Sequence, residues 1–243
     1  MTFFTALLVA LLVWAVSSIR SIRWRSLVYS LPLPISLLLV TASVRVGGGQ
    51  LLGVVAIALF ISVVDLTHNR LGRHILLADA AGIAAYIGLS LVIAAFETIP
   101  FWPVLIAVTA LWGAATLLAP PAGQDVKAAP SPRPGAPVKL ATVFGASLLM
   151  VAFGNLLKGL IVTFPYSGVL VVIETRDHLT AFSRNFTRNS ISLVAFFTGY
   201  HLLQAQGRPW ALAAAWTAFA VCVGLLHLWS RTAEARKNEP RLM

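Results

Sequence analysis

Apolar residues in this chain fall into long unbroken runs, at about 2–18, 26–44, 50–66, 75–96, 100–118, 140–157, 159–174, 189–205 and 209–229. A half-buried strand would alternate apolar and polar positions, and a membrane barrel would show alternating segments of about ten residues. Continuous runs of helix length, close to the roughly 17–25 residues that cross a bilayer, predict an all-α polytopic membrane protein of nine spans. The first run has no basic residue before it, unlike a secretory signal. Its positive charge follows, in "RSIRWR", which anchors a helix with its N-terminus outside.

Charge gives the same count. With the N-terminus outside, the inner segments are 19–25, 67–74, 119–139, 175–188 and the end after 230. They carry 15 of the 18 basic residues, and the outer loops carry only Arg45, Lys158 and Arg208. A wrongly placed span in the middle would scramble that partition, so the positive-inside rule supports nine spans and a cytoplasmic C-terminus. "PPAGQDVKAAPSPRPGAP" (120–137) is the long polar stretch. Its Pro-rich composition predicts a flexible cytoplasmic linker.

Composition narrows the class. The chain is 58% hydrophobic and 11% charged, with mean hydropathy +0.86; a soluble domain carries about 25% charged residues. Net charge +10 is accounted for by the inner loops, and no aromatic-rich soluble module accompanies it, so nucleic acid is not an expected partner. Cys222 is the sole cysteine, which excludes an internal disulfide and a cysteine-based metal site. No nucleotide-binding loop, zinc motif or serine-nucleophile elbow is present, so neither an enzyme nor a cofactor is expected.

Two stretches nearly repeat each other. "RSLVYSLP" runs from Arg25 to Pro32 and "KGLIVTFP" from Lys158 to Pro165. Each has a basic residue, a small residue, Leu, two bulky positions, a hydroxyl, a bulky apolar residue and Pro. Each opens the second span of a set of four. A single span, 100–118, separates the sets, so they have opposite orientation, and the expected plan is a 4+1+4 inverted repeat. Its parts are residues 1–97, the connecting span in 98–119, the linker 120–138, the second repeat 139–230 and a basic tail 231–243.

The second half, through "FPYSGVLVVIETRD" and "ISLVAFFTGYHLL", resembles the small four-helix GlpM-like proteins of the bacterial inner membrane over about residues 143–230. The first half shares that resemblance through "SLVYSLPLPISLLLV". The resemblance implies fold and a bacterial inner-membrane location, and no particular chemistry.

Candidate site residues follow from the duplicated break. Proline removes a helical hydrogen bond, and in lipid the freed carbonyl needs a new partner. Broken helices at matched positions of two halves point to a transport site. Pro32, Pro34, Pro165, Tyr166 and Ser167 are therefore expected to line a substrate site. Arg25 and Lys158, seven residues before the matched prolines, would guard it, with Asn155 beside Lys158. Asp79, an acid in "ILLADAAGIAAY", and His201, in "FFTGYHLLQ", are the candidates for proton coupling; the plainer reading of each is an interfacial residue near a helix end. The expected function is a small inverted-repeat transporter of a polar or anionic solute. The alternative is a non-transporting subunit that scaffolds an envelope complex or handles lipid. The partners expected are membrane lipids, the solute and a second copy in a homodimer.

Overall fold

The computed structural model describes residues 31–41, 44–118 and 158–238, together with the isolated positions Leu7, Gly135, Pro137, Ala141, Phe144 and Gly145. Every regular element among the described residues is helical. In chain order the α-helices are α1 (Leu33–Thr41), α2 (Gly48–Asp65), α3 (Ile75–Ala94), α4 (Phe101–Leu118), α5 (Tyr166–Glu174), α6 (Leu179–Asn189), α7 (Ile191–Leu203) and α8 (Arg208–Asn238). A π-type turn, Leu66–Arg70, extends α2, and a 3-10 turn, Lys158–Thr163, precedes α5.

Among the described residues, four helices are long and apolar enough to cross a membrane: Gly48–Arg70, Ile75–Ala94, Phe101–Leu118 and Arg208–Trp229. Among the described residues this is fewer than the nine spans expected. The run 159–174 is two pieces, because Pro165 has no N–H to continue a helix and α5 restarts just after it for nine residues. The run 189–205 yields α7, of 13 residues. The run 26–44 is seen from residue 31 and gives the nine-residue α1. The runs 2–18 and 140–157 and the linker lie outside the described residues, apart from the isolated positions.

Two further expectations change. The inner loop 175–188 is largely helical: α6 buries Leu179 and packs Phe182 and Phe186 on the core, while Arg184 and Asn185 are exposed. That is the pattern of a helix lying along a membrane surface. α8 continues without a break into the basic tail, to Asn238.

α2 is the hub. It packs against α3, α4, α5, α6, α7 and the 3-10 turn. One hydrophobic core therefore joins residues of both proposed repeats, from Leu38 and Phe60 to Phe164, Phe197 and Phe219. Without a hydrophobic force between helices in lipid, close approach depends on small residues, and the crossings sit on glycines. A Cβ on Gly82 would stand 2.6 Å from the Val64 side chain and 2.8 Å from that of Phe60, and one on Gly53 would strike the Thr163 side chain.

Candidate functional site

The break at Pro165 is built from the 3-10 turn upward. A 3-10 turn bonds i to i+3, so it leaves a carbonyl to be satisfied from elsewhere. Here Leu160 accepts from Tyr86 Oη at 2.9 Å and from Thr163 Oγ1 at 2.9 Å. The two hydroxyls are themselves 2.9 Å apart. Tyr86 and Thr163 are both fully buried. The Phe164 ring packs edge-on to Tyr86 at 5.3 Å and to Tyr166 at 4.8 Å. Tyr166 N–H donates back to the Phe164 carbonyl at 2.8 Å, and α5 starts with Val169 N–H donating to the Pro165 carbonyl at 3.0 Å.

At the matched motif the described residues begin at Leu31. Pro32 is buried and lies just before α1, and Ser36 N–H donates to its carbonyl at 2.8 Å. Pro34 falls in the first turn of α1, where a missing N–H costs nothing. Leu33 and Tyr166 thus begin the helices that follow the matched prolines. α1 packs against the turn Lys158–Thr163, so the element that follows one break touches the element that precedes the other.

Depth follows from α2 and α3. Thr163 meets Gly53, near the start of α2, and Tyr86 lies at the middle of α3. The break therefore stands well within the thickness spanned by these helices. Ser36 Oγ, on α1, is buried and has no hydrogen-bond partner among the described residues, and Ser90, on α3, is 0% exposed.

The other sequence candidates are dispersed. Arg25 and Asn155 lie outside the described residues. Lys158 opens the 3-10 turn and Ser167 is in the first turn of α5. Asp79 is the fifth residue of α3, one turn deeper than an end-capping position, and 4% exposed. Its Oδ1 has no hydrogen-bond partner among the described residues.

His201 is elsewhere, against the segment before α2. Its Nδ1 is 2.7 Å from the Val46 carbonyl oxygen and 2.9 Å from Gln204 Nε2. Its ring stacks on Phe101 at 3.8 Å. Gln204 completes a latch: Val46 N–H donates to its Oε1 at 3.0 Å, and its Nε2 donates to the Val46 carbonyl at 3.1 Å. Asp79 lies beside the far end of α2, because Gly82, one turn on, meets Phe60 and Val64. The two proton-coupling candidates are thus at opposite ends of an 18-residue helix, about 27 Å long.

Polar contacts at the Asp79 end fix the outer elements of the bundle. Asn69 Nδ2 and Thr180 Oγ1 both donate to Asp65 Oδ1, at 2.6 Å and 2.8 Å. Trp112 Nε1 donates to the Arg188 carbonyl at 3.0 Å, and the Arg188 guanidinium lies 5.1 Å from the Trp229 ring. Tyr86 was missed by the sequence reading; its signal was a lone tyrosine amid small apolar residues in "GIAAYIGLS". Among the described residues no group of His, Cys, Asp and Glu could hold a metal ion.

No family model, curated protein or solved structure matches the chain.

Proposed function

We propose that the protein is a small transporter of the bacterial inner membrane, moving a polar or anionic small molecule through a site at the helix breaks of Pro32 and Pro165. The observation that carries this reading is the contact between α1 and the 3-10 turn. It brings the helix that starts after Pro32 against the turn that precedes Pro165, and in lipid every free backbone group at such a place is costly. Pro32, Pro34, Pro165, Tyr166 and Ser167 line the site in this proposal. Arg25 and Lys158 guard opposite mouths, and Asn155 lies beside Lys158. The 4+1+4 inverted plan, the GlpM-like kinship, an outside N-terminus and the absence of catalysis belong to the same proposal, supported by the charge partition and the matched motifs. Lipid surrounds the bundle, and a homodimer is compatible with it.

The competing reading, a scaffold or lipid-handling subunit, is favoured by one observation: Val162, Phe164 and Tyr166 fill the space at Pro165 with side chains that are 3% exposed or less. In the transporter reading this packing is an occluded state.

Substitution separates the two. Lys158→Ala is expected to weaken anion uptake from the outer side more than Lys158→Arg, with the difference shrinking as salt screens the charge. Pro165→Ala is expected to change the rate more than the amount of folded protein. If both alanine variants leave the flux of chloride, nitrate and phosphate unchanged in folded protein, the duplicated motif is structural and the scaffold reading replaces this one.

Orientation has its own test. Gly48 is unsuitable as a labelling position, because a Cβ there would stand 2.8 Å from the carbonyl oxygens of Ile99 and Pro100. Gly49 faces open space. In a Cys222→Ala background, Gly49→Cys is expected to react with an impermeant thiol reagent from outside and Ala129→Cys from inside. Reaction of both from one side contradicts the topology.

A further inference from the structure

Resting on the transport reading, we infer that Asp79 is the proton-exchanging group that couples solute movement to the proton gradient, and that it works from the cytoplasmic side of the site. The inference stands on placement. Asp79, Gly82 and Tyr86 are all buried residues of α3, spaced i, i+3 and i+7, so they share one face. Tyr86 holds the broken turn. Asp79 is seven residues nearer the start of α3, about 10 Å along the axis. In the expected topology that is the inner end. The same helix packs against α5, which begins at Pro165.

Among the described residues no ion pair to Asp79 is seen. The elements packed on α3 are α2, α5, the π turn and the 3-10 turn. Their titratable groups are Asp65, His68, Arg70, Tyr166, Glu174 and Lys158, and α3 itself adds Tyr86 with His74 at its cap. Asp65 accepts from Asn69 and Thr180, His68 Nδ1 meets the Arg73 carbonyl, and His74 Nδ1 accepts from Leu76 N–H. Asp79 Oδ1 has no hydrogen bond among the described residues. An isolated carboxylate inside a membrane is expensive. A metal cation would need several more oxygens, whereas a proton needs one. The step is a simple exchange: the carboxyl O–H bond breaks toward water on the inner side, leaving the carboxylate and its electron pair, and forms again when a proton returns. His201 lies at the other end of α2, away from this face of α3.

The first test does not depend on the solute. The infrared difference spectrum of reconstituted wild type between about pH 5 and about pH 9 is expected to contain a protonated-carboxyl band. Asp79→Asn should remove it, and Asp79→Glu should keep it at a shifted position. A wild-type spectrum without the band, or an Asn variant that retains it, overturns the inference. The second test uses labelled chloride, nitrate and phosphate in proteoliposomes. Under a pH gradient, wild type should accumulate one of them, and Asp79→Asn should exchange it without accumulation. An Asn variant that accumulates as strongly as wild type overturns the coupling role. If wild type moves none of the three, the transport reading fails, and the infrared band still decides whether Asp79 exchanges a proton.

Discussion

Replacing Gly199 with alanine should destabilise the bundle by about 1–3 kcal/mol, the range for overpacking a tight contact. The added Cβ would stand 2.6 Å from the Ala214 carbonyl oxygen, 2.9 Å from its carbon and 3.0 Å from Ala215 Cα. These are backbone atoms of α8, so no side chain can rotate away. Ala211 and Ala215, on the facing helix, are fully buried. They form the small-residue surface that lets two membrane helices touch. The 13-residue α7 depends on that contact, being short for a span of its own. Gly88→Ala and Gly113→Ala are the controls. Neither glycine has an atom within 4 Å of its added Cβ, and removing glycine from a helix interior gains about 0.5–1 kcal/mol. Thermal unfolding in detergent should therefore move in opposite directions. Equal shifts for Gly199 and the controls would show that the α7–α8 contact is looser than described.

Tyr86→Ala should cost more, about 3–5 kcal/mol, as expected for deleting a buried aromatic ring. The ring is 0% exposed and packs edge-on to Phe164. Tyr86→Phe keeps the ring and loses the hydroxyl, for about 0.5–1.5 kcal/mol. The Leu160 carbonyl is not orphaned in that variant, because Thr163 Oγ1 still donates to it. Unfolding midpoints of the pair separate packing from hydrogen bonding at the break. A Phe variant as damaged as the Ala variant would mean that the hydroxyl, not the ring, holds the turn.

The long spans were legible because continuous apolar runs need only length to declare themselves. α2, α3 and α4 each lie where a run predicts a helix, within a few residues, and α8 starts with its run and continues nine residues past it. The run 159–174 was read as one helix although Pro165 was in plain view. Hydropathy counts apolar residues and is blind to the missing N–H that ends a helix. α6 was read as a loop because its polar face lowers the average, and only the spacing of Leu179, Phe182 and Phe186 reveals a buried stripe. In the duplicated motif, the hydroxyl position proved informative. Thr163 fills it and makes the bonds to Leu160 and Tyr86. Its partner Tyr86 is 77 residues away, and nothing local in the sequence pairs them. Asp79 and His201 looked alike as lone polar residues in apolar runs. Their difference, one isolated and one latched to Val46 by way of its ring nitrogen, depends on tertiary contacts alone.

The central claim is that the broken helices enclose a site that water reaches from each side in turn. Ser90 is the position to probe. It is 0% exposed and lies one helical turn from Tyr86. Ser90→Cys in a Cys222→Ala background, reconstituted and exposed to an impermeant thiol reagent, is predicted to react slowly from the outside and, in separate vesicles, from the inside. If Ser90→Cys reacts from neither side while Gly49→Cys labels normally, the packing at the break is permanent and the transport account is contradicted.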